Sequence, residues 1–417
     1  MRYVDIIGIG AINFDYMFHC KKTDTNNYVP DSGREDIGTP DIEVENEIVE
    51  LYRNGKEPIT QIGGSALLAL KAIHAVDKSL SISYVGVCGQ LSEFDKRYGN
   101  ISDLKSEFDF LDNQEWLFYT NDTTPVEKRY IGKSVVRLHR HVRDHIKISK
   151  GANELIIEAI EEKETRNKVS FVDFLSQARW IHISSLSTFE QFEQIMSYVI
   201  KAKEKNRFLK ISIDPGFQYT NEKKFELQKY LKISDYVFLS NREYENLIIN
   251  KDMADNDKYI KLATYFNDAV NVNTKVFVVK HKSWHELIDF VNGVPYVFFH
   301  RKINCFQIFN DTGAGDCFAG GFIAGLLSDR LIAQQPAAVD LGVLAAKTRM
   351  RTADNAKVYY NIESAAENFF LKKYKNGRNS KRKKFIFFLK VHFKSFLTFI
   401  SGVISSFLIT AICELIF

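Results

Sequence analysis

The stretch NDTGAGDCFAGGF, Asn310 to Phe322, sets two acids around a run of Gly and Ala just before the apolar IAGLL. The pattern predicts a helix that opens near residue 313. A helix N-terminus carries backbone N–H groups without intrahelical partners and a partial positive charge. With no bulky side chain at Gly313, Ala314 or Gly315, an anion can approach those N–H groups closely. Asp316 stands at the same end, where a carboxylate beside an anion is unfavourable unless it handles a proton. Taking the proton from a hydroxyl that attacks a phosphoryl group is one such task. The alternative is a first-turn aspartate that stabilises its own helix beside a tight glycine turn. On GAGD alone both readings stand.

The rest of the chain supplies elements that position such a site. Short apolar runs, among them YVDIIGIG, SISYVGVCG, WIHISSLS, FLKISIDPG, DYVFLSN and TKVFVVK, predict strands. Between them SALLALKAIHAV, FEQFEQIMSYVIKAKEKN, REYENLIIN and KYIKLATYFNDAV predict helices. Strands alternating with helices give βαβ units and a mostly parallel sheet covered on both faces. Apolar runs without clean alternation fit strands buried on both sides. Two regions interrupt the pattern, a polar one after the first strand and a basic, alternating one from Trp116 to Ile148. Together, at about residues 17–61 and 116–148, they are expected to form a small β lid over the mouth of the sheet, or else a surface hairpin.

DTGAGDCFAGGF closely resembles the C-terminal signature of the PfkB/ribokinase-like carbohydrate and nucleoside kinases, and other pieces follow in that family's order. GIGAINFDYMF resembles its first strand, with Asn13 and Asp15 at positions that hold substrate hydroxyls. QIGGSALLALKAI carries its glycine pair, Gly63 and Gly64. YVGVCG, ISIDPG ending near Asp214, and DYVFLSNREYENL resemble later strands.

The resemblance implies an α/β fold over residues 1–365, a ribokinase-like three-layer α/β/α sandwich with a β lid. It also implies ATP-dependent phosphorylation of a sugar, phosphosugar or nucleoside with Mg2+. Asp316 would be the base, and Gly313, Ala314 and Gly315 the anion hole. Asn241 would meet the nucleotide and Glu243 the metal.

Four positions depart from the family pattern. Asn310 stands where the family usually has an Asp, which weakens a monovalent-cation site. KHKSWHELIDF replaces a Gly-containing turn, so Lys280 and Lys282 either contact phosphates or decorate a hairpin. Leu68 replaces a frequent Asn. Tyr244 takes the spacing of the magnesium-linked acid, leaving Glu243 and Glu245 as neighbours.

In the basic lid segment, Arg129, Arg137, His139, Arg140 and Arg143 either clamp a substrate phosphate or line a wet strand face. His139 and His141 should share one face. A non-catalytic nucleotide- or sugar-sensing module on the same fold is the alternative function. A dinucleotide oxidoreductase is disfavoured, because GIGAIN lacks the third glycine of that fingerprint.

Charge is unevenly spread. The overall +4 combines a tail with ten Lys/Arg and one acid from Leu371 onward, about +9, with about −5 on the first 370 residues. A mildly acidic body argues against nucleic acid as a partner. Five scattered cysteines without metal spacing suit a reducing compartment. The N-terminus reads as a strand rather than a signal peptide.

Residues 366–394 read as a basic linker. From Ser395 to Cys413 no charge occurs, and as a helix this run would span ~28 Å, near the hydrocarbon thickness of a bilayer. The expectation is a single-pass C-terminal membrane anchor over 395–417 with the kinase domain cytoplasmic, Lys/Arg staying on that side. A membrane-surface amphipathic helix and a buried core helix are the alternatives. A homodimer through the lid is a further possible partner arrangement.

Overall fold

A computed structural model describes residues 4–20, 35–37, 41–99, 104–120, 135–140, 145–150, 155–184, 186–248, 275–280, 284–291, 294–301, 308–330 and 335–372. In chain order the strands are β1 (Val4–Gly10), β2 (Asn13–His19), β3 (Glu35–Ile37), β4 (Ile59–Gly63), β5 (Ile82–Cys88), β6 (Leu117–Tyr119) and β7 (Val135–Arg140). They continue with β8 (His145–Lys150), β9 (Ala178–Ser184), β10 (Lys210–Asp214), β11 (Tyr236–Ser240), β12 (Lys275–Lys280), β13 (Trp284–Val291) and β14 (Val294–Arg301).

Strands with unbroken apolar runs sit in the middle of a nine-stranded sheet, ordered β14-β13-β12-β11-β10-β9-β1-β5-β6. From β6 to β12 every pairing is parallel, and β13 and β14 add an antiparallel edge. β5 is buried throughout and β1 at all but one position, as expected of parallel strands covered on both faces.

Successive residues of β1 face opposite layers. Ile7 and Ile9 join an apolar cluster with Trp116, Phe171, Phe192 and Ile195. Gly8 and Gly10 turn the other way, where a Cβ would meet Leu70 and Ala66 of the Ser65–Val76 helix. That second layer also holds the Ala314–Leu327 and Gln335–Arg351 helices. They pack backbone to backbone: a Cβ at Gly320 would fall on the Ala69 carbonyl, and one at Gly321 on that of Leu341. The glycines inside FAGGF therefore serve helix packing.

A second sheet, ordered β3-β7-β8-β2-β4, is built from the two interrupting regions. Its limits differ from the expected lid in three ways. It begins at Asn13, because β2 pairs with both β4 and β8. Asp41–Arg53, inside the polar region, is a helix. Leu117–Tyr119 belongs to the large sheet, pairing in parallel with β5. Burial explains the last: Trp116 is enclosed by Phe171 and Phe174, with ring centroids at 4.8 and 5.6 Å.

By contacts the chain divides into two units, Met1–Ala366 and Glu367–Phe417. Among the described residues no helix is long and apolar enough to cross a membrane. The apolar run Ser395–Cys413, on which the anchor expectation rests, lies outside them.

Candidate active site

In a parallel sheet, ligands sit outside the carboxyl ends of the strands. At that edge β10 ends on Asp214, β11 on Ser240 and β12 on Lys280, and the Ala314–Leu327 helix starts close by. Gly313 caps this helix with φ +77°, a left-handed conformation that glycine adopts without Cβ strain.

The Ala314 N–H is donated to the Asp311 carbonyl at 3.1 Å, and the Cys317 N–H to Gly313 at 2.9 Å. Among the described residues no backbone carbonyl takes the N–H groups of Gly313, Gly315 or Asp316. Of the donors expected for an anion hole, Ala314 closes the turn on Asp311, while Gly313, Gly315 and Asp316 are without a backbone acceptor among the described residues.

The side chains around this end form a charged cluster. Lys280 Nζ donates to Asp214 Oδ2 at 2.9 Å and lies 3.4 Å from where a Gly315 Cβ would be. Burial works to lower the Lys280 ammonium, but Asp214 and Glu243 outweigh it and hold it above its ordinary value. Asp316 is half-buried, and burial followed by the Asp214 charge raises its carboxyl to about 6. Lys280, Lys147 and a hydrogen bond with Ser65 pull it partly back. Burial, then Asp214, raises Glu243 to about 7, although the Ser240 N–H donates to it at 2.5 Å. Because Lys280 holds Asp316 down, Lys280→Met should move the acid limb of any Asp316-dependent activity to higher pH. A pH–rate profile of the variant beside the unaltered chain checks this.

On the opening strand's side, Asp15 is fully buried in β2. Its strand neighbours on both sides bond to it: Gln61 Nε2 donates to Oδ2 at 3.2 Å and Ser149 Oγ to Oδ1 at 2.6 Å. Lys147 Nζ approaches Oδ2 at 3.3 Å. Gly63 backs the carboxylate, since a Cβ there would lie 2.4 Å from Asp15 Oδ2. Asn13 is half-buried and pairs with Gly63 across the sheet. The Ser65 side chain, after the glycine pair, favours the charged form of Asp316, and Lys147 acts on both Asp15 and Asp316. The Asp15 carboxylate, backed by Gly63, and Asp316 thus share one lysine.

Other expected residues are placed less centrally. Asn241 Nδ2 bonds to Glu245 at 2.8 Å, and Tyr244 is buried. Leu68 packs 3.1 Å from a Cβ position on Gly313. Arg137, His139 and Arg140 lie in β7. Lys282, Arg129, His141 and Arg143 fall outside the described residues. Among the described residues no three His, Cys, Asp or Glu side chains form a metal-holding group.

Sequence reading missed Ser65, Gln61, Lys147 and Arg349. For Lys147 a signal existed. In HIKISK, Ile146 and Ile148 are buried, so Lys147 and Ser149 share the opposite face of the strand.

Residues 146–353 match the model of the pfkB family carbohydrate kinases. The chain carries a PfkB-family carbohydrate kinase domain, and it is an enzyme of the kinase class. A search of curated proteins finds no match. Among solved structures, the ribokinase of Giardia lamblia is similar at TM-score 0.60 and 14% identity, over 87% of this chain and 99% of that one. The Anopheles gambiae adenosine kinase, crystallised with P1,P4-di(adenosine-5) tetraphosphate, is similar at 0.60 and 15%, over 86% and 98%. The Schistosoma mansoni adenosine kinase with 2-fluoroadenosine is similar at 0.59 and 14%, over 84% and 96%. At such identities the likeness is one of fold, a ribokinase-like α/β fold with a mostly parallel central sheet.

Proposed function

We propose that this PfkB-family kinase transfers the γ-phosphoryl group of ATP to a hydroxyl of a sugar, phosphosugar or nucleoside, with Asp316 as general base. One observation carries the reading. A carboxyl raised to about 6 stands at a helix N-terminus with undonated N–H groups, and shares Lys147 with Asp15.

Asn13 and Asp15 hold acceptor hydroxyls beside Gly63 and Gly64. The attacking hydroxyl gives its proton to Asp316 as its oxygen bonds to phosphorus and the bond to the β-phosphate oxygen breaks. The N–H groups of Gly313, Gly315 and Asp316, with Lys280 above Gly315, face the charge of the transferring group. Asn241 lies at the nucleotide end.

Kinases of this family use ATP and typically Mg2+. Mg2+ binds through one or two carboxylates and phosphate oxygens. Glu243 and Asp214 suit it as hard oxygen donors, since each raises the cost of the other's charge. When bound, the ion neutralises phosphate charge; Glu243 and Asp214 would hold it.

The test is transfer from γ-labelled ATP to a panel of pentoses, hexoses, their monophosphates and nucleosides. Labelled product from at least one class supports the reading. A folded protein that labels none of them, at millimolar acceptor with Mg2+, overturns it.

The proposal extends to the C-terminus, where Ser395–Cys413 anchors the kinase at the cytoplasmic face of a membrane, as the uncharged run and its basic flank suggest. Deleting residues from Lys384 onward should then move the protein from the membrane pellet to the supernatant. Full-length protein found wholly in the soluble fraction would remove the anchor. Sedimentation of the truncated protein also checks for a lid-mediated homodimer.

A further inference from the structure

Arg349, near the end of the Gln335–Arg351 helix, is a buried cation at 3% exposure. Its three bonds go to neutral acceptors. Nε donates to the Thr312 carbonyl at 2.9 Å, Nη1 to Asn355 Oδ1 at 2.9 Å and Nη2 to Gln61 Oε1 at 3.4 Å. Among the described residues no carboxylate pairs with it. A buried charge left this way is costly unless it serves another purpose.

Its first contact indicates that purpose. The left-handed Gly313 starts the helix, so the Asp316 N–H is a first-turn donor without a backbone acceptor among the described residues, and its direction is set by the Thr312–Gly313 turn. Arg349 holds that turn by the Thr312 carbonyl. The same guanidinium lies 3.7 Å from a Gly313 Cβ position and, through Gln61, reaches the Asp15 carboxylate.

We infer that Arg349 is a positioning residue that fixes the turn presenting the anion hole by holding the Thr312 carbonyl, and ties that turn to the acceptor-binding Asp15 through Gln61. Its uncompensated charge also makes the loop receptive to an arriving phosphoryl group. The inference rests on the phosphoryl-transfer reading for its effect on rate, and on geometry alone for its effect on the turn.

Two readouts test it on the full chain. With the best acceptor of the panel, Arg349→Met should lower kcat by about 10²-fold, the loss of one anion-hole donor, with acceptor KM within about threefold. Arg349→Lys, which keeps a donor for Thr312, should recover part of that loss, as should guanidinium ion added to the Met variant. Hydrogen exchange at Ala314 and Cys317, whose N–H groups bond to the Asp311 and Gly313 carbonyls, is the second readout and needs no activity: it should quicken at least tenfold in Arg349→Met as the turn loosens. Where Met at 349 prevents folding, the Lys variant carries both measurements, with kcat reduced about tenfold and exchange intermediate.

A kcat unchanged within threefold, a loss confined to acceptor KM, or unchanged exchange at Ala314 and Cys317 in Arg349→Met overturns the inference. If the unaltered chain labels no acceptor, the functional reading fails, and the exchange result alone decides the role of Arg349.

Discussion

Asp316→Asn is expected to reduce phosphoryl transfer by about 10²–10⁴-fold, the range for a lost general base, while leaving ATP and acceptor binding within a few-fold. The amide keeps the shape of the carboxyl and cannot take a proton. It also removes an electrostatic burden. The Asp316 carboxyl is raised to about 6 by burial and the Asp214 charge, against an ordinary aspartate near 4, so the folded state holds this proton more tightly than the unfolded chain does. The group's contribution to stability is therefore full below about pH 4 and lost as pH rises through about 6. At pH 8 the Asn variant should be more stable than the unaltered chain by up to about 3 kcal/mol, or a few degrees in thermal midpoint. At pH 4 the gain should vanish. Calorimetry at the two pH values, beside the turnover assay, reads both effects. Loss of activity accompanied by destabilisation at pH 8 would point to a merely structural aspartate.

Gly64→Ala should be the most damaging single methyl in the molecule. Gly64 has φ +113°, and a Cβ there would lie 1.9 Å from the Ala11 carbonyl oxygen, a backbone atom between β1 and β2. Relief requires moving either the start of the Ser65–Val76 helix or the loop that presents Asn13 and Asp15. Backbone strain of this kind costs about 1–3 kcal/mol, and the overlap adds a packing cost of about 1–3 kcal/mol. Denaturant unfolding should show a destabilisation of about 3 kcal/mol or more, and whatever folds should have lost acceptor affinity, since Ser65 and Gly63 shift together. A variant with unchanged unfolding midpoint and acceptor KM would show that the glycine pair does not set the position of Asn13 and Asp15.

The elements that carry local patterns were readable from the sequence. Unbroken apolar runs located the parallel strands, and the small residues ahead of Asp316 located the helix start. What the sequence hid depends on register and on distant chain. Ser149 and Gln61 reach Asp15 only because β8 and β4 pair with β2 in one alignment, and no local pattern states that alignment. Arg349 bonds to a carbonyl 37 residues earlier; partners that are backbone oxygens leave no residue-type signature. The alternating segment from Trp116 reads as a lid strand, yet burial against Phe171 and Phe174 draws the following strand into the large sheet. The Ala314 N–H looked available from composition, but the local turn to Asp311 uses it.

The central claim is that Asp316, lifted toward neutrality by its surroundings, takes the acceptor proton. The pH dependence of kcat/KM for the best acceptor tests it most directly. The rate should climb about tenfold per pH unit at low pH and level off above an apparent value near 6, with that limb moved upward in Lys280→Met. A profile flat between pH 5 and 8, or a limb that stays in place when Lys280 is replaced, would contradict it.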